Sequence, residues 1–198
     1  MNPTQALKKI RDEIWDLRKS PLYKYRIEHN YYPVIGEGSH SPSVLFVGEA
    51  PGEKEALTAK PFCGAAGRIL DELLASIKLE RKDVYISNLV KDRPPGNRDP
   101  EPKEIALYAP FLDRQIEILK PKVIATLGRY SMQYLLNKFS SQEAGQTISK
   151  LHGKPIAITT SYGSATLVPL YHPAVALYSA TQKPTLLKDF KVIASLIN

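Results

Sequence analysis

Residues 44–52 read VLFVGEAPG, in which an apolar run ends abruptly in a glycine-flanked turn. Val44–Val47 consists of β-branched and large apolar residues, which is typical of a buried strand. Gly48 and Gly52 flank the turn and allow backbone conformations that larger side chains forbid, so N–H groups can approach a ligand closely. The stretch therefore predicts a strand followed by a tight turn that faces a ligand.

Similar apolar runs recur along the chain and alternate with helical patterns. β-branched residues predict further strands at Val84–Val90, Val123–Leu127 and Ala165–Leu170, with a fifth candidate at Ile156–Thr160. Helical spacing of apolar residues predicts helices over 4–19, 66–78, 102–119, 129–139 and 184–197. This alternation favours a three-layer α/β/α sandwich around a mostly parallel sheet of four to five strands. Ligands of such sheets bind at the carboxyl ends of the strands.

Composition narrows the class of protein. A chain of 198 residues fits a single domain over residues 1–198, and its 27 Lys and Arg against 20 Asp and Glu give a net charge of +7. A polyanionic partner is consistent with this charge, and a generally basic protein is the simpler alternative. No run reaches the roughly 18 apolar residues of a membrane span, so we expect no membrane association and a cytoplasmic location. A lone Cys63 supplies neither an intrachain disulfide nor a thiolate metal site, so we expect no metal and no cofactor.

Three residues near predicted strand ends are candidates for a binding site. Phe62 precedes small residues that open a helix, and a core position is its simpler interpretation. Asn88 ends an apolar run, where an amide needs hydrogen-bond partners, and a structural turn is the alternative. An amide offers a donor and an acceptor together, which suits a ligand edge that carries an acceptor beside a donor. His172 follows the last predicted strand, where a lone histidine is more often structural than catalytic.

The motifs around these residues resemble those of the uracil-DNA glycosylase superfamily, closest to its family 4. They read GEAPG at 48–52, PFCGAAG at 61–67, RPPGNR at 93–98 and HPA at 172–174, and the resemblance extends from about Leu7 to Phe190. It implies a monofunctional glycosylase that flips uracil out of DNA and hydrolyses its N-glycosidic bond, leaving an abasic site. The implied partner is uracil-containing DNA, single- or double-stranded, and the implied state is a monomer.

The resemblance also implies a role for individual residues. His172 faces uracil O2, Asn88 reads the base, and Glu49 helps to orient water, which makes these three the catalytic candidates. The remaining base-binding candidates are Gly48, Ala50, Gly52, Glu55 and Phe62. The candidates for contact with DNA are Lys91, Arg93, Asn97, Arg98, Gly128 and Arg129, together with Val175, Ala176 and Leu177, which match the segment that replaces a flipped base.

The sequence departs from family 4 at its iron–sulfur cluster, which that family holds on four cysteines. The matching positions here are Leu17, Ser20, Asp92 and Tyr108. Leu17 and Tyr108 favour apolar packing in place of a metal site, which would tie the N-terminal helix to the sheet. The cluster of that family lies away from the base pocket, so its loss concerns stability more than chemistry.

Three alternatives stay open. A glycosylase for hypoxanthine or xanthine would keep the fold, and Gly52 leaves room for another base. A catalytically silent DNA-binding paralogue would have lost activity with its cluster. A nucleotide-binding α/β enzyme would explain the glycine-rich turns, but the chain has neither a P-loop nor a G-x-G-x-x-G motif.

Overall fold

A computed structural model describes residues 2–179 and 181–197 of the chain. Its strands are β1 (Glu37–Gly38), β2 (Val44–Gly48), β3 (Tyr85–Asn88), β4 (Val123–Leu127), β5 (Ile156–Thr160) and β6 (Gly163–Leu170). Within the described ranges these strands form one sheet of six, in the order β1-β3-β2-β4-β6-β5. The strands β2, β3, β4 and β6 run parallel, and β1 and β5 pair antiparallel at the two edges. The mostly parallel sheet is confirmed.

Helices connect and cover the strands. They are α1 (Pro3–Trp15), α2 (Pro21–Glu28), α3 (Glu53–Thr58), α4 (Ala65–Ser76), α5 (Pro102–Leu119), α6 (Arg129–Lys138), α7 (Ile148–Leu151), α8 (Val175–Tyr178) and α9 (Gln182–Ile197). Short 3₁₀ turns occur at Arg81–Asp83 and Pro95–Asn97. Among residues 2–179 and 181–197, no helix combines the length and the apolar character needed to cross a membrane.

Alternating side chains of the strands build two apolar cores, one on each face of the sheet. On one face, Leu45 belongs to a buried cluster with Leu112 of α5 and Leu135 of α6. On the other, the ring of Phe46 stacks on that of Phe190 of α9, with centroids 5.6 Å apart, in a cluster that includes residues of α4. Helices therefore cover both faces, and the three-layer α/β/α sandwich is confirmed.

The region between the first helix and β2 differs from the prediction. The first helix ends at Trp15 rather than near residue 19, and α2 begins at Pro21, where the Ser20 hydroxyl accepts the backbone N–H of Leu22 at 3.1 Å. Proline is favoured at the first position of a helix, because its missing N–H is not needed there, so Pro21 begins a new helix rather than extending α1. Helix α2 and the two-residue strand β1 lie in a stretch that lacks sustained periodicity, so the sequence pattern did not predict them.

The parallel strands end at one edge of the sheet. Gly48 of β2 lies opposite Asn88 of β3, and Leu127 of β4 lies opposite Leu170 of β6. The segments that follow these four strand ends therefore come together, and they carry the motifs that the sequence singled out.

Candidate active site

A cavity of about 420 Å³ opens at this edge of the sheet. Among the predicted site residues, those lining it are Glu49, Ala50, Gly52, Glu55, Phe62, Asn88, Asn97, Arg98 and His172. Sequence reasoning did not name the other lining residues, which are Pro51, Ala66, Pro94 and Ala174. The fold thus brings the catalytic and nearly all of the base-binding candidates to one place.

Asn88 lines this cavity and carries an unused acceptor. It is 2% exposed, and within residues 2–179 and 181–197 its Oδ1 atom has no hydrogen-bond partner. A Cβ atom on Gly48 would lie 2.3 Å from this Oδ1 and 2.7 Å from the ring of Phe62, so only glycine fits beneath both. A buried acceptor without a partner costs about 1–3 kcal/mol, and a ligand N–H placed there would offset that cost.

Phe62 is held rigidly beside it. Its backbone has a φ of 50°, which a residue with a side chain adopts rarely, and the Arg81 guanidinium donates to the carbonyl oxygens of both Pro61 (2.9 Å) and Phe62. A Cβ atom on Gly67 would lie 1.6 Å from the Phe62 carbonyl oxygen. The first turn of α4 can therefore pack against the Phe62 backbone only because residue 67 is glycine. The Phe62 ring is 7% exposed and faces the cavity as a fixed flat surface.

The hydrogen bonds of His172 fix its tautomer. Its Nδ1 atom accepts the backbone N–H of Ala174 at 3.2 Å, so we assign the proton of the neutral ring to Nε2. Burial lowers the pKa of His172, against the opposing charge of Glu55, which favours this neutral form. The ring stacks on Phe62 at a centroid distance of 5.5 Å. His172 therefore offers a neutral N–H donor next to the flat surface of Phe62.

Glu49 has an unusually basic carboxylate. Burial, and next the charge of Asp99, raise its pKa to about 7, while Arg129 acts in the opposite direction. Asp99 also accepts from Arg129 at 2.6 Å and from the hydroxyl of Tyr130 at 2.8 Å. The sequence analysis did not name Asp99, although it follows the RPPGNR motif directly. A carboxylate with this pKa can take up a proton near neutral pH.

Glu55 has a structural task within the cavity wall. Its Oε1 atom accepts the backbone N–H groups of Cys63 and Gly64, both at 2.9 Å, where α4 begins. A Cβ atom on Gly52 would lie 2.7 Å from the other oxygen, Oε2. The carboxylate therefore closes the space beside Gly52 and holds the Phe62 segment against it.

The basic loop is more internally paired than the sequence suggested. Arg93 donates to Asn97 (2.7 Å) and to the hydroxyl of Tyr31 (2.5 Å), and its side chain is only 9% exposed. Arg98 forms an ion pair with the buried carboxylate of Glu104 at 2.6 Å. A phosphate would have to share these guanidinium groups with their present partners, so the contacts of this loop with DNA stay predictions.

The DNA contact predicted for Lys91 is wrong. Lys91 is fully buried, and its Nζ atom donates to Ser87, Asn88 and Gln115 inside the protein. Burial lowers its pKa to about 7. The error arose because Lys91 adjoins the basic loop in sequence, whereas the chain after β3 turns inward at this point.

Two further predicted contact sites lie beside the cavity. The N–H of Gly128 donates to the carbonyl of Leu170 at 2.9 Å, so it is not available to a phosphate. A Cβ atom on Gly128 would lie 3.6 Å from the Cβ of His172. The predicted wedge Val175, Ala176 and Leu177 forms most of the short helix α8. Leu177 is 45% exposed, and the adjacent Tyr178, which sequence reasoning missed, is 88% exposed.

A second buried polar region, here called the Asp92 network, consists of Ser20, Arg26, Asp92 and Tyr108. Arg26 donates to both carboxylate oxygens of Asp92 at 3.1 Å. The Tyr108 hydroxyl donates to Asp92 at 2.5 Å and lies 2.7 Å from the Ser20 hydroxyl. All four residues are at most 5% exposed, and they join α1, α2, the loop after β3 and α5.

This network occupies three of the four positions that match cluster ligands in family 4. The fourth, Leu17, packs in an apolar cluster with Ile10, Ile14 and Tyr108. These side chains offer no thiolate, and the carboxylate and phenol are already bonded to each other, so the residues present do not fit an iron–sulfur cluster. The expected apolar packing is therefore only part of what replaces it, because a buried ion pair lies at its centre.

Comparison with known proteins agrees with this geometry. Residues 35–192 match the family described as the uracil DNA glycosylase superfamily. The chain is 43% identical to a type-4 uracil-DNA glycosylase of Sulfurisphaera tokodaii over 192 residues, which cover 96% of this chain and 84% of that protein. It is 42% identical to a type-4 uracil-DNA glycosylase of Archaeoglobus fulgidus, covering 97% and 94% of the two chains. A third such enzyme, from Saccharolobus solfataricus, is 44% identical over 96% of this chain and 85% of its own length. The chain belongs to the uracil-DNA glycosylase superfamily.

Proposed function

We propose that the protein is a monofunctional DNA glycosylase that flips uracil out of DNA and hydrolyses its N-glycosidic bond, leaving an abasic site. The observation that carries the proposal is Asn88, which lines a cavity together with Phe62 and whose buried Oδ1 atom has no hydrogen-bond partner among the described residues. The same function is supported by the matched relatives, which are type-4 uracil-DNA glycosylases and align with nearly the whole chain.

Recognition of uracil follows from the chemistry of these two side chains. The Oδ1 atom of Asn88 would accept the N3–H of uracil, and the amide NH₂ would donate to O4. Cytosine carries an acceptor at N3 and a donor at C4, so it would leave Oδ1 unsatisfied and oppose donor to donor. The base would stack on the Phe62 ring, which presents a flat apolar surface.

The reaction needs stabilisation of a departing base and a water molecule. As the bond between C1′ and N1 breaks, negative charge develops on the uracil, and the Nε2–H of His172 would donate to O2. A neutral imidazole can do this without first losing a proton. Water then bonds to C1′, and its proton passes to the Glu49 carboxylate, whose pKa of about 7 suits that role.

The proposal includes the placement of DNA along the cavity mouth. Arg93, Asn97, Arg98 and Arg129 would contact the backbone, and α8 would enter the space that the flipped base leaves. Single- and double-stranded DNA are both kept as substrates. A single domain over residues 1–198, a monomeric state and a cytoplasmic location also stay part of the proposal.

The test uses oligonucleotides that contain U, hypoxanthine, xanthine or T at one position, followed by alkali cleavage of abasic sites. We expect cleavage at U only. His172→Ala should lower the single-turnover rate about 10²- to 10³-fold, as removal of one stabilising donor does in other enzymes. His40→Ala is the matched control, because His40 lies outside the cavity and bonds to Thr4.

Each other outcome has a definite meaning. Cleavage at a purine alone would move the assignment to hypoxanthine or xanthine. Binding of DNA without cleavage at any base would make the chain a silent paralogue and would overturn the proposal.

A further inference from the structure

Lys91 is surrounded by acceptors that leave no direction of its ammonium group unused. Its Nζ atom lies 2.6 Å from the backbone oxygen of Asn88, 2.7 Å from the hydroxyl of Ser87 and 2.7 Å from Oε1 of Gln115. An ammonium group has three N–H donors, so all three are engaged. The group is wholly buried and has no role in the mechanism described above.

The same group ties distant segments together. Both the hydroxyl of Ser87 and Nε2 of Gln115 donate to the backbone oxygen of Ile35, at 2.7 Å and 2.9 Å. Lys91 thereby connects the end of β3 with α5 and with the segment that precedes β1. Lys91 thus supports the backbone at the end of β3, and its contacts with Ser87 and Gln115 hold the ammonium group in place beside the Asn88 oxygen.

The peptide bond after Asn88 is consequently held at both of its polar atoms. Its oxygen accepts from Lys91, and its N–H, which belongs to Leu89, donates to the oxygen of Gly48 at 3.0 Å. A peptide plane fixed at both atoms cannot rotate. The Cα–Cβ bond of Asn88, whose direction depends on that backbone, is therefore held in place, and it sets where the side chain enters the cavity.

We infer that Lys91 is a positioning residue for base recognition, which keeps the amide of Asn88 directed into the cavity. The inference rests on the proposed function, since it concerns how uracil is read. Burying an ammonium group opposes folding, and an apolar side chain of similar length would avoid that cost. Its presence is explained by the backbone oxygen that it holds next to the base-reading residue.

The test is Lys91→Met, which keeps most of the length of the side chain and removes the charge. We measure kcat and KM for DNA containing uracil, the ratio of cleavage at uracil to cleavage at cytosine, and the melting temperature. Misplacement of a reacting group by about 1 Å can cost 10²-fold, so we expect kcat and the uracil-to-cytosine ratio to fall about 10- to 100-fold. The KM for DNA should stay unchanged, because Lys91 is inaccessible to DNA.

Tyr108→Phe is the matched control for a loss of stability alone. It lies in the Asp92 network, away from the lining of the cavity, and should lower the melting temperature without changing base selectivity. If Lys91→Met melts at a lower temperature but keeps the wild-type kcat and base selectivity, Lys91 is merely structural and the inference is overturned.

A second variant covers the case in which Lys91→Met does not fold. Gln115→Met removes one acceptor and leaves the ammonium two others, so the fold should survive and selectivity should fall in the same direction by a smaller factor. Unchanged selectivity in Gln115→Met would then overturn the inference. Wild-type protein that fails to cleave uracil would refute the proposed function itself, whereas active wild type with an unaffected Lys91→Met refutes only the positioning role.

Discussion

The Asp92 network and the base cavity are both buried and polar, yet they are built in opposite ways. In the network, Ser20, Arg26, Asp92 and Tyr108 bond to one another, and the one buried carboxylate has a guanidinium and a phenol as partners. In the cavity, the Oδ1 atom of Asn88 has no partner among the described residues.

The contrast separates polar groups that hold the fold from those that await a ligand. A closed set of hydrogen bonds stabilises the structure and gives nothing outside it a place to bind. An open acceptor weakens the fold slightly and becomes useful only when a substrate fills it. Substitutions in the two regions should therefore change different measured quantities.

The largest effect is expected from Asp92→Ala. Removing this carboxylate leaves the Arg26 guanidinium buried without its counter-charge, which should lower the free energy of unfolding by about 3–5 kcal/mol. Urea unfolding measures this loss. The control is Asp12→Ala, which breaks an exposed ion pair with Arg11 and should cost at most about 1 kcal/mol. Equal losses of unfolding free energy in the two variants would contradict the claim that the Asp92 network stabilises the fold more than an exposed ion pair does.

Glu49→Gln tests the base cavity, where we expect a change in the cleavage rate. The pKa of Glu49 is raised to about 7, so the rate of the wild type should increase from pH 6 to pH 8 as the carboxylate ionises. The variant should lose about 10²-fold in rate, and over this interval it should keep only the pH dependence that Lys91 contributes, whose pKa is also about 7. An unchanged pH profile in Glu49→Gln would assign the titration to another group.

Glu49 also gives a prediction for stability with a defined sign. Its folded-state pKa lies above the ordinary glutamate value of 4.5, so folding favours the protonated form. The carboxylate therefore weakens the fold as pH rises from about 4.5 through 7, and Glu49→Gln should raise the melting temperature at pH 8 but not at pH 4. Melting curves at these two values test this, and a variant that melts below the wild type at pH 8 would contradict it.

Tyr108→Phe should have a smaller effect than Asp92→Ala. It removes one hydroxyl that bonds to both Asp92 and Ser20, for an expected loss of about 1–3 kcal/mol. Uracil cleavage at 25 °C should remain at the wild-type rate, since this hydroxyl lies outside the cavity lining. A reduced rate with unchanged stability would show that the two regions are coupled.

The smallest expected effect belongs to metal removal. Because the side chains at the four matched positions supply no thiolate, dialysis against a chelator should leave both the melting temperature and the cleavage rate unchanged. Iron analysis of the purified protein accompanies the measurement. A fall of the melting temperature after chelation would reveal a metal site that these residues do not account for.

Periodicity predicted the core elements of the fold well. The bounds of β4 and β5 agree with the predicted strands, because β-branched runs bounded by polar residues leave little ambiguity. Strand β3 is shorter than predicted and ends at Asn88, since the chain beyond it turns toward the interior. Helix α2 and strand β1 were missed because neither carries a repeated apolar pattern.

The gathering of site residues was predictable, whereas their partners were not. Glu49, Asn88 and His172 follow strands that run parallel, so they had to meet at one edge of the sheet. The burial of Lys91 depends on Gln115, which lies 24 residues further along the chain, and the pKa of Glu49 depends on Asp99. Such contacts are set by packing between elements, which a local sequence pattern does not contain.

The left-handed backbone at Phe62 has a consequence for the cost of base capture. The Arg81 guanidinium, itself paired with Asp71 at 2.6 Å, donates to the carbonyl of Phe62 in the folded protein. The entropy of ordering this ring is thus lost once, before any DNA arrives, and is not lost again at each encounter. Under the proposed function, a nucleotide that swings out of the duplex would meet a wall already in its final shape, so ordering of this ring would not add to the cost of capturing the base.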